Sequence, residues 1–417
     1  MKRLQRPVLE KEKLLGWLDR LIAGDRLYFL SFGLFLITSI LSTSFYYRYF
    51  IGYTYTWLQV LCAVLLIGHE FRSGNWRWTD WKQLAATAAL FGLAYYNSIG
   101  NLTRLVAFMF LYIYGARNIP FAKIVRFALH TSIVTVCVIV FSGYLGIIEN
   151  ITAAKGGRVR EYLGFRYALF LPGILLNMTA LWIYLRKETV SVPGTLIWAV
   201  ANWFVYYKTD SRISFVIAEV LLAAALAMRF LPKLMDKLQP MWAVMSSSFF
   251  LFGAFSLVMT LVYDSTLPWM RKLNSMLESR LSLGHRSVEE YGITFFGQDI
   301  EWVGNGLDAF GNSATGIYTY VDCMYVKILQ RYGILFTLLL VILLSWSMYR
   351  MWKRREYHIL LISASVAAHC VLDDLSFALH YNTFWIALGV VLLNPAMLNW
   401  NGKTTKIDLP NDFVAEE

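Results

Sequence analysis

Apolar and polar positions fall along this chain in long blocks, not in short periods. Apolar stretches recur at residues 27–46, 53–67, 84–97, 102–114, 127–148, 167–185, 194–206, 213–228, 241–263, 321–348, 358–372 and 382–393. Many reach or approach the roughly 20 residues that a helix needs to cross about 30 Å of hydrocarbon. Short polar connections separate them, with one exception, the long hydrophilic interruption at 264–320. The pattern predicts an all-α polytopic membrane protein with about twelve transmembrane helices. It forms a single integral membrane domain over 1–417, with one large external loop at 264–320, between spans nine and ten, and a cytoplasmic tail at 401–417.

Composition agrees. The chain is 58% hydrophobic and 16% charged, with a mean hydropathy of +0.50, which excludes an ordinary soluble or disordered chain. Its four cysteines, Cys62, Cys137, Cys323 and Cys370, have neither CxxC nor His-paired spacing, so no disulfide framework or zinc site is indicated. No GxxxxGK[ST], GxGxxG or HExxH stands in the chain, so no cofactor or metal is expected. The net charge of +11 fits basic cytoplasmic loops against anionic lipid, with no soluble basic domain for nucleic acid.

Charge sets the orientation. With the N-terminus inside, the inner connections carry Arg72/Arg77/Lys82, Arg117/Lys123/Arg126, Arg186/Lys187, Arg229/Lys233/Lys237 and Arg350/Lys353/Arg354/Arg355. Every one is basic, as the positive-inside rule requires, and both termini are then cytoplasmic. The exceptions carry more information. Arg48, Arg158, Arg160, Arg166, Lys208, Arg212, Arg271, Lys272, Arg280 and Arg286 fall outside, and Arg104 lies near the outer end of its span. Cations there ask for an anionic partner, although single residues can also snorkel to the interface.

Four segments gather these charges. GGRVREYLGFRY, at 156–167, sets Arg158, Arg160 and Arg166 after two glycines, a composition suited to phosphate or to interfacial anchoring. YYKTDSRISF, at 206–215, carries Lys208 and starts an apolar helix at Arg212, where a cation opposes the helix dipole and an anion-binding role fits better. The polar stretch itself contributes Arg280, His285 and Arg286, followed by a Gly-rich part with Asp299 and Glu301. YVDCMYVKILQRYGI, at 320–334, brings Asp322, Tyr325 and Lys327 to the start of a membrane helix, where Asp322 is either a helix cap or a functional carboxylate. Asp373, Asp374 and His380, between spans eleven and twelve, either join the same cavity or cap their loop.

TDSRISF, REYLGFRYALFLPGILLN, LNSMLESRLSLG with YGITFFGQ, and YVDCMYVKILQRYGI together resemble bacterial Wzy-type polysaccharide polymerases, of the O-antigen ligase and polymerase superfamily. The likeness rests on their order and spacing over about a quarter of the chain. Cys323 stands where Asn is usual, and Asp322 where the ligases carry His. The resemblance implies a GT-C-like fold in the bacterial cell membrane and a metal-independent, inverting glycosyl transfer. Its substrates would be undecaprenyl pyrophosphate-linked oligosaccharides as donor and acceptor, and its further partners membrane lipids, a chain-length regulator and a flippase. Catalysis would fall to Arg212, Arg280 and Asp322, with His285 as second choice for the base. Arg158, Arg160, Arg166, Arg104, Tyr325, Arg286 and Lys208 would bind substrate. A lipid-linked oligosaccharide exporter would share the span count and the basic cavity, and a ligase-type transferase would share the motifs. The one-sided loop and the lack of a visible internal repeat weigh against the exporter.

Overall fold

Runs of Leu, Ile, Val, Phe and Ala leave the backbone no partner but itself in an apolar setting, and the described chain accordingly folds mostly into helices. The structure, a computed structural model, describes residues 24–72, 104–155 and 157–398, with isolated positions between 81 and 92. In order, the helices are α1 (Arg26–Ser42), α2 (Tyr53–Arg72), α3 (Arg104–Gly115), α4 (Phe121–Tyr144), α5 (Phe170–Arg186), α6 (Val192–Thr209), α7 (Arg212–Phe230), α8 (Pro232–Lys237), α9 (Gln239–Met245), α10 (Ser248–Leu261), α11 (Pro268–Met276), α12 (Arg280–Tyr291), α13 (Met324–Lys353), α14 (Tyr357–His369) and α15 (Phe384–Leu393). Among the described residues the strands form one antiparallel hairpin, β1 (Thr152–Lys155) and β2 (Arg158–Glu161), paired in register from Thr152↔Glu161 to Lys155↔Arg158.

Helices occupy each predicted stretch except 84–97, most of which falls outside the described residues, as does the 401–417 tail. Among the described residues three helices, α4, α7 and α13, are long and apolar enough to cross a membrane, and a fourth span results if α9 and α10, which meet at 54°, count as one. The others miss on length or polarity. At 1.5 Å per residue the 10-residue α15 reaches only about 15 Å, half the hydrocarbon thickness.

The bundle is apolar inside and out. α5 is buried from Leu171 to Tyr184 and sits among α4, α6 and α7, while α13 packs against α10, α14 and α15. On the outside, α6 exposes Leu196, Ile197, Val200 and Trp203, and α13 exposes Leu338, Ile342 and Trp346. A surface of that kind suits acyl chains better than water.

The polar stretch is no plain loop. It contains α11 and α12, and α12 turns Leu281, Gly284 and Ser287, at three-residue spacing, onto α10 and α13. The chain from Gly292 to Cys323 is non-helical but anchored. Gln330 of α13 donates to the Ser287 and Gly292 carbonyls and accepts from the Ser287 hydroxyl, which also receives the Trp302 indole N–H. Arg331, buried, bonds Asp299 and the Ile300 carbonyl.

α13 itself breaks at Gly333 (φ 85°, ψ 175°). The freed N–H groups of Ile334 and Leu335 donate to the carbonyls of Thr294 and Phe295, and Gln298 N–H donates to the Arg331 carbonyl. A Cβ on Gly333 would stand 2.3 Å from the Gly297 nitrogen, so two glycines let the backbones cross.

Candidate functional site

Sharp turns at one end of the bundle aim the site residues. Between α6 and α7 Asp210 adopts the left-handed conformation (φ 48°, ψ 39°), which Asp tolerates, and Arg212 becomes the first residue of α7. Between α11 and α12 Glu278 and Ser279 are both left-handed, and Arg280 opens α12. Two helix N-termini therefore present arginines, each adding the partial positive charge of its free N–H groups. On β2 the alternation of a strand puts Arg158 and Arg160 on one face, with Val159 exposed on the other.

Three cavities meet here. One of about 210 Å³ is lined by Arg160, Arg212, Arg280, Tyr167, Tyr318 and Asp373, among others. A second, of about 610 Å³, opens under the hairpin between Arg158, Arg160, Tyr162 and Leu307. A third, of about 270 Å³, runs along Arg166, Tyr320, Asp322, Asp373 and Asp374. Tyr167 and Asn305 line all three.

The charges fall into distinct pairings. Arg280 Nη1 lies 2.9 Å from Asp322 Oδ2, and its Nε donates to the Leu372 carbonyl. Tyr318 donates its hydroxyl to the same Asp322 oxygen at 2.7 Å. For Arg280 burial works against the charge, yet Asp322 and Tyr318 leave its pKa raised. Asp210 bridges Arg212 (3.3 Å) and Arg158 (3.2 Å), tying the hairpin to the α6–α7 turn. Arg212 remains half exposed. No hydrogen bond or ion pair engages the Arg160 side chain among the described residues, and its Nε is buried without a partner.

Lys327 pairs with Asp374 at 2.6 Å beneath the Tyr320 ring. Asp322 caps nothing: Cys323 is the N-cap residue of α13, and it makes no capping bond. Among the described residues no group of three or more His, Cys, Asp or Glu side chains could hold a metal ion.

Of the residues singled out from sequence, Arg158, Arg160, Arg166, Arg212, Arg280 and Asp322 converge on these cavities. Arg166 reaches cavity-lining position with its guanidinium committed to the carbonyls of Ser42 and Leu307, clamping α1 to the polar segment. His285 bonds the Thr260 carbonyl and Glu289, and lines none of the three. Arg286 donates to the Tyr318 carbonyl, holding the cavity wall from behind. Lys208 pairs with Glu161 at 2.9 Å at the foot of the hairpin, and Tyr325 is buried against Gly253 with its hydroxyl on the Ala367 carbonyl. Arg104 opens α3, and its side chain lies outside the described residues.

Sequence reasoning missed Tyr167, Tyr318 and Asn305, which carry no charge and sit in loops rich in aromatic residues. It also left Asp373 undecided between cavity and cap. The structure gives it both parts, because Oδ1 accepts the Leu375 N–H at 2.8 Å while the residue lines two cavities. Compared with family models, with curated proteins and with solved structures, the chain matches none of them.

Proposed function

We propose that this protein is a polysaccharide polymerase acting on lipid-linked oligosaccharide repeat units at the outer face of a bacterial cell membrane. In this reading the chain spans the membrane about twelve times in a GT-C-like arrangement, with residues 264–320 outside and both termini in the cytoplasm. The growing glycan is transferred from undecaprenyl pyrophosphate to the non-reducing end of a new lipid-linked unit. The enzyme is an inverting glycosyltransferase.

The observation that carries this reading is the meeting of Arg160, Arg212 and Arg280 on one cavity at the polar end of an apolar bundle. Breaking the bond between the anomeric carbon and the lipid pyrophosphate leaves negative charge on that leaving group, and fixed cations at the site lower the barrier. Arg280 is held by Asp322 and needs no rearrangement to serve. The Arg160 side chain, with no hydrogen-bond or ion-pair partner among the described residues, is free to meet an anion, and half-exposed Arg212, whose Nε is held by Asp210, can offer its outer guanidinium nitrogens to one. Tyr167 and Tyr318 offer flat faces for sugar rings, and the 610 Å³ cavity beneath the hairpin has room for them. Apolar side chains on the outside of α6 and α13 suit the polyprenyl tails.

The test is incubation of the purified protein with its lipid-linked repeat unit alone. A ladder of products at one-unit intervals is expected. Transfer only to a different acceptor would make the protein a ligase, and movement of the unit across a vesicle without bond formation would make it an exporter.

A further inference from the structure

A polymerase must take a proton from the acceptor hydroxyl as well as charge from the leaving group, and the carboxylates of the site differ in their freedom to do so. Asp322 has one oxygen engaged by both the Arg280 guanidinium and the Tyr318 hydroxyl. A carboxylate holding two donors on one oxygen is a better anchor than a base. Asp374 is bound to Lys327 and receives the Tyr320 hydroxyl. Asp373 has only the Leu375 N–H on Oδ1, and the other oxygen, Oδ2, stands 4.0 Å from His369 Nε2. Among the described residues it is also the one carboxylate that lines both the arginine cavity and the neighbouring 270 Å³ cavity.

We infer that Asp373 is the catalytic proton acceptor, taking the proton of the acceptor sugar hydroxyl where the two cavities adjoin. This inference rests on the polymerase reading above. In the step, the acceptor oxygen forms its bond to the anomeric carbon while the bond from that carbon to the pyrophosphate oxygen breaks, and the electron pair leaves with the lipid pyrophosphate. The hydroxyl proton passes to Asp373 Oδ2, and the resulting carboxylic acid returns it to water in the open cavity. Arg160, Arg212 and Arg280 meet the leaving group on one side, and Asp373 meets the nucleophile on the other.

The surroundings suit a base that works near neutrality. Burial, and then the charge of Asp374, push the Asp373 carboxyl up to about 7, with Asp322 adding to the rise and the Leu375 N–H and Arg280 opposing it. The other titratable groups facing it are His369 and Cys370 on the α14 side, Tyr381 ahead of α15, Tyr167 ahead of α5 and Tyr320 ahead of α13. Burial raises Tyr320 and Tyr381, which stay protonated through neutral pH. Only the ionised carboxylate can accept a proton, so turnover rises with pH through about 7 and levels off above it.

The test compares wild type, Asp373→Asn and Asp373→Glu in the ladder assay from pH 5.5 to 9. Asparagine keeps an oxygen for the Leu375 N–H, so the turn is retained while the base is lost. Asp373→Asn is expected to lower kcat by about 100- to 10,000-fold with KM changed by less than about threefold, and to abolish the rise with pH. Asp373→Glu should restore part of kcat and a displaced pH limb. A wild type whose rate is flat across this range overturns the assignment without any variant. So does an Asp373→Asn protein that makes ladders at the normal rate, and in that case the polymerase reading stands. A wild type that makes no ladder at any pH overturns the polymerase reading and this inference with it.

Discussion

Arg280 and Arg212 face the same cavity, but their surroundings make them fail in different ways. Arg280 and Asp322 are both mostly withdrawn from water, with side chains 13% and 11% exposed. Removing one leaves the other buried without its counter-charge, at a cost of about 3–5 kcal/mol. Arg280→Ala should therefore lower the Tm of the detergent-solubilised protein as well as stop polymerisation, and Asp322→Ala should lower Tm similarly. Arg212, 56% exposed, leaves no such debt. Arg212→Ala should keep the wild-type Tm and cut turnover by about 100- to 1,000-fold, the usual loss of one charge-stabilising donor. Arg212→Lys should recover little if recognition uses the planar fork, as a ladder assay of the two variants would reveal. The arginines were legible because a cation at a membrane boundary is costly and so stands out in a hydropathy reading. Tyr167, Tyr318 and Asn305 were not, because a neutral loop residue costs nothing there and its neighbours in sequence resemble it.

Among the elements, the helices were legible from their apolar runs, whereas the hairpin and the break in α13 were not. β1 and β2 are four residues each, too short for alternation to rise above a loop. They are fixed instead by Lys208–Glu161 and Arg158–Asp210, contacts with α6 and the turn after it. The break at Gly333 depends on Gly297, a partner that local sequence does not reveal. Gly333→Ala combines a positive φ with a methyl group 2.3 Å from another backbone. It should cost at least about 1–3 kcal/mol, and limited proteolysis should then cut faster within 264–320. Gly306→Ala, whose methyl meets nothing within 4 Å, is the control and should digest like wild type.

Across the whole molecule, apolar packing and the cavity-end charges are separated. At the end of the apolar bundle where the three cavities meet, Arg158, Arg160, Arg212 and Arg280 are only partly neutralised, by Asp210 and Asp322. Inorganic pyrophosphate should therefore inhibit competitively against the lipid-linked unit, and less so as salt rises, since screening at about 0.15 M extends to roughly 8 Å. In Arg212→Ala the inhibition constant should rise, read from initial rates at several pyrophosphate concentrations. Hydropathy and charge together predicted the helical class and the basic end. They could not rank the helices by reach, because α14 stops after 13 residues ahead of a turn where Asp373 bonds the Leu375 N–H, and the 10-residue α15 starts late, after Asn382 bonds the Phe384 N–H.

The crossing at Gly333 also decides which part of this chain could be exchanged as a unit. Residues 294–298 supply the hydrogen bonds that the first half of α13 leaves open, so neither piece is complete alone. A chimaera that takes the polar segment from another protein and keeps this α13 would bring foreign carbonyls to a gap shaped for Thr294 and Phe295. Any transplanted module must therefore keep 264–336, polar segment and broken helix, together, and recombination that cuts between them should yield protein that fails to mature.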